Sequence, residues 1–144
     1  MVVQAHQYPG ENDSCIISTP PIKIYPSKFR MNHSQKLIEK IVIRAKQENV
    51  FDFAQDYHNR LKWDTFLKKA ELVGGALKAG KGVRAYCVSK NSGLGMETEY
   101  VTFQRPKVTA IKMTQGPILF KSFAGSWTFN QIGPEETEVV FIYS

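Results

Sequence analysis

The sequence predicts an α+β protein built on one curved antiparallel sheet. Three observations point there. A β-branched run of alternating polarity opens the regular part of the chain at residues 37–45. Apolar residues at helical spacing follow it directly. From residue 69 onward the chain is a succession of strand-like runs joined by short turns. Connections that short make neighbouring strands antiparallel.

The elements follow in order. In the first run Ile41, Ile43 and Ala45 share one parity and Lys40 and Arg44 the other, the alternation of a half-buried strand. Val50, Phe51, Ala54 and Tyr57 then recur with helical period. Asn49 is the expected cap of this helix, with Asp52 favouring its positive end. A second helix is expected over 59–67, with Leu61, Trp63, Phe66 and Leu67 apolar and Arg60, Lys62 and Asp64 facing water.

Strands are expected at 69–73, 83–88, 96–103, 108–114, 120–130 and 137–143. Gly74-Gly75, Asn91-Ser92-Gly93-Leu94-Gly95, Gln104-Arg105-Pro106-Lys107, Gly116-Pro117 and Ile132-Gly133-Pro134 supply the turns. Gly82, Gly93, Gly95 and Gly125 are the expected places for bends or bulges.

Residues 1–35 are expected to form an extended or disordered leader, and 36–144 the folded domain. Four of the seven prolines (Pro9, Pro20, Pro21 and Pro26) fall in the first part, where no apolar period is sustained. The leader lacks the basic start and apolar stretch of a secretory signal. Met31 stands just before the regular pattern, and residues 1–30 are expected to be an upstream extension.

Composition excludes several classes. At 144 residues, 42% hydrophobic and 22% charged, the chain is long and apolar enough to bury a core unaided. No run approaches the roughly 20 apolar residues of a membrane span. Two cysteines, Cys15 and Cys87, exclude a disulfide scaffold and an all-cysteine zinc site. The expected compartment is the cytoplasm. The net charge of +6 is spread over dispersed lysines with no basic stripe. No specific nucleic-acid partner is therefore expected.

Catalytic motifs are sparse. His6, His33 and His58 are scattered, so no metal site is expected, and His58 falls at the bend between helices. Gly93-Leu94-Gly95 is not followed by a helix, so it is a turn and not a dinucleotide loop. No cofactor is expected. Cys87, mid-strand, is expected to be a small buried hydrophobe. Arg84, Glu97, Glu99 and Lys112 are expected to face solvent, and Asp56 and Asp64 to serve as capping and turn residues.

Several motifs in order carry a resemblance. Ile41-Val42-Ile43-Arg44-Ala45 followed by Val50-Phe51, Lys62-Trp63-Asp64, Arg105-Pro106-Lys107-Val108, and Trp127-Thr128-Phe129 with Gly133 and Thr137-Glu138-Val139 resemble the SRPBCC superfamily. That superfamily has the helix-grip fold of START domains, birch-pollen-type allergens and polyketide cyclases. The resemblance covers about residues 36–144. It implies a curved sheet of six to seven strands, two short helices after the first strand, and a long C-terminal helix across the sheet. The sequence stops at Ser144, inside the last strand. The cover is expected from a continuation of the chain or, second, from a partner, including a second copy, since exposed apolar sheet invites association. The leader folding back over the face is the third reading, which its prolines and low hydrophobicity disfavour.

The resemblance also implies a cavity. Trp63, Phe66, Tyr86, Tyr100, Met113, Trp127, Phe129 and Tyr143 are the expected ligand-binding residues, with Tyr86 and Tyr100 turning hydroxyls inward. The expected ligand is small and hydrophobic: a lipid, quinone, isoprenoid or polyketide-like molecule. The alternative is a cyclase, aromatase or dehydratase using a cavity tyrosine or glutamate for proton transfer. A macromolecule held by the basic surface is a third option.

Overall fold

The computed structural model describes residues 36–144, so the expected leader lies outside the described residues. The elements are β1 (Leu37–Ile43), α1 (Gln47–Gln55), α2 (Arg60–Trp63), β2 (Leu67–Leu72), β3 (Arg84–Ser89), β4 (Gly95–Gln104), β5 (Val108–Gln115), β6 (Ala124–Gly133) and β7 (Glu136–Tyr143). One antiparallel sheet has the order β1-β7-β6-β5-β4-β3-β2. β2 to β7 form a meander, and β1 closes it by pairing Leu37 with Tyr143 through Ile43 with Thr137. The two helices lie between the first two strands, α1 over β6 and β7 and α2 beside β2. This is a helix-grip α+β fold.

Alternation decides which side chains enter. On β1 the half-buried positions are Glu39, Ile41 and Ile43, opposite Phe141, Val139 and Thr137 of β7. On β6 Gly125, Trp127 and Phe129 are buried between more exposed neighbours. The core gathers Val50, Phe51, Trp63, Trp127 and Phe129. Its rings meet edge to face, with Phe51 5.0 Å from Phe129 and 5.3 Å from Phe103. Such pairs add about 0.5–1.5 kcal/mol beyond area burial.

The sheet bends at bulges in β2, β4 and β6. The one between Tyr100 and Thr102 matters most. One extra residue there resets the parity of β4. Tyr100 and Phe103 consequently both face inward, ring centroids 5.5 Å apart.

Three element ends differ from expectation. α1 begins at Gln47 and not after Asn49, and no side chain caps it at Lys46. A tertiary contact replaces the cap: Gln47 N–H donates to Gln131 Oε1 at 2.7 Å and its Nε2 to the Phe129 carbonyl at 2.6 Å. Asp52 instead receives a two-pronged contact from Arg105 at 2.6 and 2.7 Å. α2 is only four residues long. Asp64 ends it by accepting the Phe66 N–H through Oδ1, the usual competition of aspartate with helical bonding. Leu67 is therefore already strand. β6 starts at Ala124 rather than at Phe120, because Phe120 N–H turns back to the Pro117 carbonyl at 2.9 Å.

Candidate functional site

The concave face and the helices enclose a cavity of about 570 Å³. All seven strands contribute to its wall, together with Gln55 of α1, Arg60 of α2 and the loops after α2, β3 and β5. Leu37, Phe66, Leu94 and Phe120 line it and are also exposed, which marks where it meets solvent. Its volume lies in the ordinary range for small-molecule sites.

Most of the wall is apolar: Leu67, Met96, Ile111, Phe123, Trp127 and Phe141 are typical. Polar groups converge at one place. Tyr100, on β4, donates its hydroxyl hydrogen to Gln55 Oε1 on α1 at 2.8 Å. Tyr57, just past α1, lies 3.2 Å from the same hydroxyl. Since the Tyr100 hydrogen is committed to Gln55, the Tyr57 hydroxyl is the donor in that pair.

Beside them lies a buried ion pair. Arg60 is 9% exposed and Asp64 1%. Arg60 meets Asp64 Oδ2 through Nε at 3.1 Å and through a terminal nitrogen at 3.0 Å. The guanidinium lies 4.5 Å from the rings of both Trp63 and Trp127, which themselves meet edge to face with centroids 5.5 Å apart. A buried charge survives because it is paired and stacked.

Electrostatics hold these groups in unreactive forms. Burial pushes the phenols of Tyr57, Tyr100 and Tyr143 well above their ordinary range, so all three stay protonated. Burial also pushes the Cys87 thiol up, against the pull of Arg60. Burial opposes the charge of Arg60, but Asp64 and the neighbouring tyrosines outweigh it and its pKa is raised.

Among the described residues two buried side-chain donors have no hydrogen-bond partner, Gln55 Nε2 and Trp63 Nε1. Of the two, Gln55 lines the cavity and Trp63 does not. Among the described residues no three His, Cys, Asp or Glu side chains gather as metal ligands. No helix there is long and apolar enough to cross a membrane.

The eight residues singled out in the sequence fall in different places. Phe66, Tyr100, Trp127 and Tyr143 line the cavity. Trp63 and Phe129 stand in the packed core. Met113 is half-buried, its sulfur against Gly116, outside the lining. Tyr86 corrects an expectation: it does not turn inward. Cys87 and Ser89 line the cavity, so Tyr86, between Ala85 and Cys87 on a regular strand, points to the opposite face. There its ring carries Lys69 at 5.5 Å and lies over Gly95, where a Cβ would collide with the phenol. Arg84 and Glu97 pair on that outer face at 2.9 Å.

Gln55, Tyr57 and the Arg60–Asp64 pair were not among the expected site residues. The i, i+4 spacing of Arg60 and Asp64 around Trp63 is the signal that marks them.

Residues 34–144 match the family model described as polyketide cyclase / dehydrase and lipid transport. No curated protein matches the chain. Solved structures resemble it at low identity. A protein from Thermus thermophilus aligns with TM-score 0.65 and 20% identity, covering 76% of this chain and 73% of that one. Major latex-like protein 151 of Panax ginseng gives 0.63 and 18%, covering 76% of each chain. A START superfamily protein from Mycobacterium smegmatis gives 0.62 and 12%, covering 75% and 74%. At these identities the likeness establishes the fold.

Proposed function

The chain belongs to the polyketide cyclase / dehydrase and lipid transport family, and from that premise we propose that it binds one small hydrophobic molecule without transforming it. The ligand class is a lipid, quinone, isoprenoid or polyketide-like compound. Phe66, Tyr100, Trp127 and Tyr143 supply wall contacts, and Trp63 and Phe129 hold that wall from behind.

The observation that carries this reading is the state of the cavity's polar groups. Proton-transfer catalysis wants a group titrating near the working pH. The tyrosines are pushed away from it, and Asp64 is tied to Arg60. Apart from Glu39 and the hydroxyls of Ser89, Ser92, Thr98 and Thr109, what remains is a mostly apolar wall whose burial by a ligand contributes ~25 cal/mol per Å². The family description also covers cyclases and dehydrases, and the enzymatic alternative would run through Tyr100.

Native mass spectrometry of the purified chain tests the reading. A bound small molecule that leaves as a neutral on gentle activation, chemically unchanged after incubation, is the expected result. Conversion of that molecule into a dehydrated or cyclised product, lost in Tyr100→Phe by about 100-fold or more, would favour the enzyme.

A further inference from the structure

We propose that the Gln55 side-chain amide is the polar anchor of the cavity, and that the ligand offers it a neutral carbonyl acceptor on an otherwise apolar body. The inference rests on the binding function proposed above and narrows its ligand class.

Gln55 is 6% exposed and lies at the C-terminal end of α1, facing the cavity. Its Oε1 is taken by Tyr100, and its Nε2 has no acceptor among the described residues. A buried amide left without a partner costs about 1–3 kcal/mol. The Tyr100 hydrogen goes to Oε1, which turns Nε2 away from that hydroxyl. The free end is thus an N–H donor, and the complementary ligand group is an acceptor.

The neighbouring ion pair selects which acceptor. A carboxylate is the obvious partner for a buried arginine, but Arg60 is already neutralised by Asp64 at 3.0 Å. A second anion in the cavity would stand near a carboxylate that is 1% exposed and would repel it. A ketone, quinone or ester carbonyl brings no charge and satisfies the amide.

The test compares 2-acetylnaphthalene, its carbonyl-free isostere 2-isopropenylnaphthalene, and 2-naphthoate, each titrated by tryptophan fluorescence. The ketone is expected to bind about tenfold tighter than the isostere and the naphthoate, the fold-change of one buried hydrogen bond. Gln55→Met, close in shape and without the donor, should abolish the preference for the ketone over the isostere. A second measurement stands if that variant fails to fold: in the unaltered protein the Gln55 side-chain N–H resonances should shift with the ketone and not with the isostere. Equal binding of ketone and isostere, or a preference that survives in Gln55→Met, overturns the anchor and leaves the cavity function intact. Binding of none of the three removes the cavity function and the anchor with it.

Discussion

Tyr100 donates its hydroxyl hydrogen to Gln55 Oε1 across 2.8 Å and thereby ties β4 to the end of α1. The bond joins the sheet to the helix at the polar corner of the cavity. Removing it in Tyr100→Phe strands the Gln55 carbonyl and the Tyr57 hydroxyl, and should cost about 1–3 kcal/mol. Urea unfolding followed by far-ultraviolet circular dichroism reads the loss. Ligand affinity should change less than tenfold, because the Tyr100 hydroxyl holds Gln55 in place and is not itself the anchor.

The Arg60–Asp64 pair should respond sharply to losing one member. Asp64→Ala leaves a guanidinium buried against two indoles without its counter-charge. Removing one partner of a buried pair typically costs about 3–5 kcal/mol. The double variant Arg60→Met with Asp64→Leu removes both charges and should recover most of that loss. A denaturant midpoint for the double variant no higher than for Asp64→Ala would contradict the stacked, paired arrangement.

Alkaline pH should unfold the protein through its phenols. The folded pKa values of Tyr57, Tyr100 and Tyr143 stand above the unfolded value of 10.0. The unfolded chain therefore loses these protons first. Stability is intact below the unfolded value and falls as pH rises above it, by up to ~1.4 kcal/mol per unit for each phenol. Spectrophotometric titration should show phenolate from these three only together with loss of the fold. Their early, reversible ionisation in the folded protein would contradict their burial.

Cys87 provides a probe from inside the cavity. Its thiol is pushed up by burial, so the thiolate that reacts with alkylating agents is scarce at neutral pH. In a Cys15→Ser background Cys87 should react slowly in the folded protein and rapidly in urea. Saturation with 2-acetylnaphthalene should slow it further, since Cys87 lines the cavity. An unchanged rate at saturation would place the ligand elsewhere.

Much of the fold is legible in the sequence because it rests on short-range pattern. The parity of Ile41 and Ile43, the helical spacing of Val50, Phe51 and Ala54, and the turn residues around Gly93 and Pro106 each follow from local chemistry. The site is less legible because parity errors propagate. Tyr86 and Cys87 are neighbours on one strand and cannot share a face. Placing Cys87 inside already placed Tyr86 outside. At Tyr100 the difficulty is the reverse, since a bulge that no local motif announces lets Phe103 join it. Arg60 and Asp64 lie at a four-residue helix whose charges ordinarily face water. Contacts with both tryptophan rings and the pairing with Asp64 hold Arg60 inside.

Nuclear magnetic resonance mapping tests the central claim, that the concave face holds a small apolar ligand, most directly. On titration with 2-acetylnaphthalene, amide and methyl shifts should concentrate at Gln55, Thr98, Tyr100, Ile111, Trp127 and Phe141, all on the cavity wall. Arg84, Tyr86 and Lys112, which the cavity does not include, should stay in place. Shifts confined to the outer face, or none at saturating ligand, would contradict the account.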